Sequence, residues 1–402
     1  MKGSKQTKER VILHSDVNNF FASVECTMRP ELKDKPVAVT GNPEKRTGII
    51  LAKNEIAKRY GVKTGQPIVE AKGLCPQLVC LAPHYELYEQ VSLQLHEIYL
   101  QYTNFVEPLG LDECFLDVTG CEKYLGKTGK QIADEIRETV KRKFGFTVSV
   151  GVSFSKIFAK LGSDLRKPDF TTEIPLERYK NITYSLPLNS VVGVGRRLEK
   201  KFNCIDVKTI GDFVKLDDQY LDNLMGINGI NLKQDLLAQR FVPVCDYYLL
   251  PPPKSIGNGT TSIIDIIDRK DIQNVIYFLA EKVSSRLIIH KLFAGAIGLT
   301  IKNKDLKTFH KSMKIFPTNS LSMLAKNAMI IADKIWKYNY PVRAIRLRAS
   351  SLTSSNVKQI SMFDPPVKDY SHITNQINQK YGKIILASDM KSYINQKSHP
   401  QE

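Results

Sequence analysis

Apolar residues recur along the chain with two different periods, and the places where the period changes mark out its elements. V-I-L-H-S-D, running into Asp16, reads as a short buried strand, as do T-G-I-I-L-A (Thr47 to Ala52) and T-V-S-V-G-V-S from Thr147. Leu87, Val91, Leu95, Ile98 and Tyr102 recur at three- and four-residue steps, which predicts a helix from Tyr85 to Tyr102. F-V-E-P-L-G and E-C-F-L-D-V-T predict a strand pair around a tight turn, with Asp112 and Glu113 beside the turn. An amphipathic segment over Gly129 to Phe144 and a lysine-bearing helix from Ser155 to Leu165 complete this part.

Residues 176–243 change character, with short helix-like pieces separated by G-V-G at 193–195 and G-I-N-G at 226–229, as in a small all-helical domain. F-V-P-V-C-D-Y-Y-L-L-P-P-P ends in three prolines at Pro253 and predicts a stiff, extended linker over 244–253. Beyond it the pattern reads strand, helix (Ile272 to Ile289), two strands (Ala294 to Lys302 and Phe309 to Phe316), helix (Leu321 to Lys337) and strand (Val342 to Ser350). From Thr353 the chain turns polar and loses its periodicity, as a flexible tail does. The sum is an α+β multidomain chain, and 402 residues suit two to four domains.

A hydrophobic content of 42% is ordinary for a globular protein, and no apolar run approaches the roughly 20 residues of a membrane span. The opening MKGSKQTKER is polar and basic, so a cytoplasmic protein is expected. Seven cysteines without a C-x-x-C pair suggest neither a zinc site nor a disulfide framework. The net charge of +17 changes the picture more, because such a surplus draws a protein to polyanions, whether nucleic acid or an anionic membrane surface. Lys254 to Leu352 holds 17 Lys and Arg against 6 Asp and Glu, so this one segment supplies +11 of the total.

Phosphoryl transfer to a sugar hydroxyl uses two divalent cations about 4 Å apart, and magnesium takes carboxylate oxygens for this. Asp16 at a strand end and Asp112 with Glu113 at a hairpin turn are places for exposed acids on a rigid sheet. Neighbours in a regular strand point to opposite faces, so Asp112 and Glu113 can share a site only if the turn breaks that alternation. Singly, each acid also has a plain role: Asp16 as the cap of the following helix, and Asp-Glu as a solvated turn.

D-V-N-N-F-F-A-S-V-E-C (Asp16 to Cys26) and L-D-E-C-F-L-D-V-T (Leu111 to Thr119), in that order and separation, resemble the first and second catalytic motifs of the Y-family DNA polymerases, the DinB and UmuC (ImpB/MucB/SamB) lesion-bypass enzymes. The resemblance extends from Val11 to Phe363. It implies a right-hand polymerase, with a ferredoxin-like palm at 1–28 and 82–175 and small fingers at 29–81. A helical thumb with helix-hairpin-helix elements would follow at 176–243, then the linker, an α+β little finger at 254–352 and a tail at 353–402. The implied activity is template-directed, error-prone DNA synthesis past damage, in DNA repair and the SOS response, on primer-template DNA and deoxynucleoside triphosphates.

The same resemblance implies two Mg2+ ions held by Asp16, Asp112, Glu113 and the backbone carbonyl of Val17. It makes Phe21 a steric gate against a ribose 2′-hydroxyl, and Lys58 and Lys167 the cations that meet the triphosphate. Many members carry a tyrosine where this chain has Glu55, so the fingers' nucleotide contacts depart from the pattern, towards the UmuC side. L-N-S-V-V-G-V-G-R-R-L-E-K-K-F resembles a helix-hairpin-helix, in which Gly193 and Gly195 form the turn and Arg196 or Lys200 meets a DNA phosphate. The basic module would grip the duplex backbone without reading sequence. Q-I-S-M-F resembles the sliding-clamp peptide of bacterial polymerases, with Gln359 entering a polar pocket and Met362 and Phe363 a hydrophobic one. A monomer without proofreading is expected. Two other readings use part of this text: another palm-type nucleotidyl transferase or cyclase, and a clamp-associated DNA-binding accessory protein with little catalysis.

Overall fold

The computed structural model describes residues 10–42, 48–336 and 340–354. They fall into two compact units, one built from residues 10–41 and 49–250 and the other from residues 42, 48, 251–336 and 340–354. The first unit runs β1 (Ile12–Val17), α1 (Phe20–Met28), β2 (Val37–Thr40), β3 (Ile50–Lys53), α2 (Glu55–Arg59), α3 (Ile68–Leu74), β4 (Val79–Leu81) and α4 (Tyr85–Tyr99). It continues with β5 (Val106–Leu109), β6 (Glu113–Asp117), α5 (Glu122–Leu125), α6 (Gly129–Phe144), β7 (Val148–Ser153), α7 (Lys156–Leu165) and β8 (Thr171–Ile174). Five short helices follow: α8 (Tyr179–Thr183), α9 (Arg196–Asn203), α10 (Ile210–Phe213), α11 (Asp218–Met225) and α12 (Ile227–Leu236).

The main sheet has the order β5-β6-β1-β7-β8, and β1 at its centre is buried at all six positions. On one face Leu13, Val17, Leu116, Val148 and Val150 pack against Tyr99 of α4, Ile132 and Ile136 of α6, and Val24 of α1. The opposite face carries Ile12, His14 and Asp16, as the two-residue alternation of a strand requires. Helix α7 lies on that face, and Gly151 of β7 sets how closely. A Cβ there would stand 1.8 Å from the carbonyl oxygen of Ala159 and 2.5 Å from the amide nitrogen of Ser163, so only glycine admits the helix. A second, three-stranded sheet of order β3-β2-β4 is closed by a small core of Ala38, Ile50, Ala57, Ile68 and Leu78.

Most predicted elements are present, with ends shifted by a few residues. Three differences have physical causes. Asp16 does not cap the following helix: it lies within β1, and Asn19 is the N-cap of α1, at φ 54. The strand expected from Thr47 starts at Ile50 among the described residues. The expected linker is not extended throughout. Val244 is 4% exposed against Ile12, Phe115 and Ala159, the Cys245 amide donates to Glu107 Oε2 at 2.8 Å, and the Tyr247 amide donates to the Asn104 carbonyl at 2.9 Å. Val244, Cys245 and Tyr247 find partners on or beside the main sheet, and Leu250 to Pro253 are exposed without regular structure. Residues beyond 354, including the peptide at 359–363, lie outside the described part.

The second unit contains β9 (Ser255–Ile266), α13 (Arg269–Ile289), β10 (Phe293–Asn303), β11 (Thr308–Thr318), α14 (Leu321–Ile335) and β12 (Val342–Thr353). Its sheet is antiparallel in the order β11-β10-β12-β9, and both helices cover one face through Ile276, Leu279, Val283, Leu324 and Ala328.

Gly151→Ala is expected to push α7 off β7 and cost about 3 kcal/mol, the scale of an overpacked core. Gly73→Ala, in a helix with open space at that position, should instead stabilise by up to about 1 kcal/mol. Urea unfolding of both variants checks the pair; equal stabilities would refute the close contact as the constraint.

Candidate active site

β1 and β6 pair with Asp16 directly opposite Glu113, and residues paired in this way emerge on the same face. The chain bond between Asp112 and Glu113 would send their side chains apart if both were in the strand. Asp112, however, belongs to the turn after Gly110, which has φ 88, and the turn is tied to β1 by the Val17 amide donating to the Asp112 carbonyl at 3.0 Å. Asp112 and Asp16 therefore line one cleft of about 310 Å³, together with Val17, Asn19, Phe21, Lys53 and Lys167. Glu113 does not line it; its Oε2 accepts from Lys160 and lies 3.6 Å from His14 Nε2.

Burial dominates the electrostatics. Asp16 is 7% exposed, and burial pushes its carboxyl up to about 7 although Lys167 Nζ donates to its Oδ2 at 2.7 Å. Asp112 is raised too, first by burial and then by the charge of Glu113. Burial would also raise Glu113, but His14 and Lys160 outweigh it and hold it at about 2. Lys167 loses solvation as well, yet Asp16 and Asp164, the latter 2.7 Å away, hold it above the usual lysine range. Among the described residues no three acids, histidines or cysteines converge tightly enough to grip a metal as they stand. Asp16 and Glu113 are each occupied by a lysine ammonium instead.

Of the other residues predicted from sequence, Phe21 lines the cleft, with its ring stacked on Tyr88. Lys58 does not line it. It sits on α2, half-exposed, with Nζ 3.5 Å from Glu55 Oε1, which also accepts from Asn19 Nδ2 at 2.9 Å. Lys53 does line the cleft, and its Nζ donates to Thr64 Oγ1 at 3.3 Å. Sequence reasoning missed Lys53, Asn19, Lys160 and Asp164, since no spacing signal marks them.

In the helical segment, Gly193 has φ 100 and Gly195 is the N-cap of α9, which leaves Arg196 and Lys200 exposed one turn apart. Gly226, at φ 65, makes the corresponding turn between α11 and α12. In the second unit, register places Gly257, Arg348, Gly298 and Ser312 in one row across the open sheet face, and Gly259, Arg346, Thr300 and His310 in the next. Neither row contains an acid. The alternation that exposes Arg346 and Arg348 while burying Leu347 and Ala349 was a readable signal for this face.

Asp16 is expected to titrate near neutrality in the metal-free protein, and Lys167→Met to move its midpoint further up; carboxyl-carbon NMR checks both. Its folded value lies above the unfolded one, so its contribution to stability is full at low pH and is lost as pH rises from about 4 through 7. A midpoint below about 5 would contradict this account.

Two family models match the chain: the impB/mucB/samB family over residues 15–164 and its C-terminal domain over 253–362. The chain is 42% identical over 362 residues to DNA polymerase IV of Acetivibrio thermocellus, covering 90% of both chains. It is 31% identical over 386 residues to DNA polymerase IV 1 of Bacillus subtilis, covering 94% of this chain and 92% of that one. A solved Y-family DNA polymerase chimera of Dbh and Dpo4 shares the fold at a TM-score of 0.75 and 23% identity, covering 86% of this chain and 100% of that one. Similarity over nearly the whole length favours neither the cyclase nor the accessory-protein reading. The chain belongs to the impB/mucB/samB family of Y-family DNA polymerases and is a DNA-directed DNA polymerase of the translesion type.

Proposed function

We propose that the cleft beside the end of β1 joins a deoxynucleoside triphosphate to a primer 3′ end, with Asp16, Asp112, Glu113 and the Val17 carbonyl as ligands of two magnesium ions. The observation that carries this is the convergence of Asp16, Asp112, Phe21 and Lys167 on one cleft. The donor set suits a hard cation: part-buried carboxylates whose charge is already balanced by lysine ammonium groups, which a divalent ion can replace. Bound there, the ions would supply charge stabilisation to the attacking and leaving oxygens.

The chain's own residues do the rest. Lys167, once released from Asp16, faces the cleft as a cation for the triphosphate, and Lys58 is a second one if Glu55 gives it up. Phe21 occupies the space of a 2′-hydroxyl. Residues 1–28 and 82–175 act as palm, 29–81 as fingers, 176–243 as thumb and 254–352 as little finger. The thumb glycine turns, with Arg196 and Lys200, and the two acid-free rows with Arg346 and Arg348 hold duplex phosphates without reading bases. Gln359, Met362 and Phe363 dock a monomeric, cytoplasmic enzyme on the sliding clamp.

Asp16→Ala and Asp112→Ala should each reduce magnesium-dependent primer extension by at least about a thousandfold, and chelation of the metal should abolish it in the parent chain. Extension by either variant at the parent rate would sink the assignment. Replacing Gln359, Met362 and Phe363 together by alanine should remove about tenfold of clamp stimulation, the scale of a few lost anchor contacts. The measured quantity is the ratio of extension with and without clamp, and a ratio equal to the parent's would refute the peptide.

A further inference from the structure

We infer that Glu25 and Tyr88 are positioning residues for sugar selection, which fix the ring of Phe21 at the wall of the cleft through a buried hydrogen bond between them. The inference rests on the reading of Phe21 as the sugar gate. A gate of this kind discriminates by distance, so a ring free to slide or tilt admits the extra hydroxyl. Phe21 stacks on Tyr88 with ring centroids 4.4 Å apart and planes at 14°, and Tyr85 meets it edge-on at 6.0 Å. Stacking sets the spacing and plane of a ring but resists sideways slip only weakly, because dispersion has little direction.

The tyrosine hydroxyl supplies the missing constraint. Tyr88 is fully buried, and its OH donates to Glu25 Oε1 at 2.6 Å. Glu25 stands four residues after Phe21 in α1, so both emerge on the same side of the helix, one turn apart. Helix α1 thus carries the gate and also anchors the tyrosine on α4 that packs over it. The loop is closed: Phe21 ring, Tyr88 ring, Tyr88 hydroxyl, Glu25 carboxylate and back along one helical turn.

Glu25 is only 1% exposed, and its carboxyl has three polar neighbours: Tyr88, His84 Nδ1 at 2.6 Å on the same oxygen, and Arg29 at 3.7 Å from the other. A buried, paired carboxylate often gives no more stability than well-packed apolar residues of similar size, so apolar packing could hold the two helices together as well. What a carboxylate adds over a leucine is a directed bond, and that bond ends on the ring that backs Phe21.

The test is single-nucleotide insertion by the full chain opposite template T, with dATP and ATP compared by kcat/KM. Tyr88→Phe keeps the stacked ring and removes only the hydroxyl; it should lower the preference for dATP about tenfold, the scale of one hydrogen bond to a charged group, mainly by lowering the KM for ATP. Glu25→Gln should move the ratio the same way, and the double variant should add little because both changes break one bond. Phe21→Val, which removes the gate itself, should collapse the preference further. If Tyr88→Phe and Glu25→Gln lower both substrates in parallel, or change neither, while Phe21→Val collapses the ratio, the inference is overturned and the gate reading stands. An unchanged ratio in Phe21→Val overturns both.

Discussion

The burial of acidic groups at the end of β1 is the constraint around which the first unit is arranged. Asp16 has to sit on a rigid strand to be placed accurately, and a strand at the centre of a sheet is shielded from water on both faces. The same position that fixes its geometry raises the cost of its charge. The fold answers with cations from the opposite helix and its following turn: Lys160 to Glu113, and Lys167 to Asp16 and Asp164. Those lysines balance the charge of the two paired carboxylates. They also explain why the acids do not form a closed ligand cage as they stand, since each of the two paired acids already has a positive neighbour.

That solution depends on how near α7 can come. Gly151 and Gly162 face each other across the helix-sheet contact, and a Cβ on Gly162 would stand 3.2 Å from the Gly151 Cα. Only such a contact brings Lys160 to Glu113 and lets Ser163 hydrogen-bond His14 Nδ1 at 2.8 Å. The segment after α7 is held in turn by Arg137 of α6, which donates to the carbonyl and carboxylate of Asp169, two residues after Lys167. A helix on one face of the sheet thereby fixes a cation that acts on the other. Two glycines and one arginine remote from the cleft decide where its charges stand.

The second unit is arranged by different physics. Its helices bury one face of the sheet, and the other offers glycine, serine, threonine and arginine in register, with glycines opposite Arg346 and Arg348. Arg346 lies over Gly259, where a Cβ would stand 3.2 Å from its own Cβ. Two rows of this kind, with two arginines and no acid, suit a regular polyanion and tolerate any base sequence.

Strand and helix periods, the basic second half, and the Asp16, Asp112 and Glu113 motifs were legible in the sequence because each is local: a period, a count or a run of adjacent residues. The Asp112–Glu113 turn was legible as a condition, and the fold meets it for Asp112 by taking that residue out of the strand. The linker was misread because its prolines dominate the local text, while the partners of Val244 and Tyr247 lie far back along the chain. Lys58 was legible through its motif, whereas Lys53, which lines the cleft, was not, since which lysine reaches a cavity depends on how β3 and α2 are packed. The ties between Glu25 and Tyr88 and between His14 and Ser163 were invisible for the same reason. Sequence by itself determined the elements, the charge and the chemistry available; tertiary structure alone decided which charges pair and which residues face the cleft, because long-range contacts set burial, and burial sets both pairing and protonation.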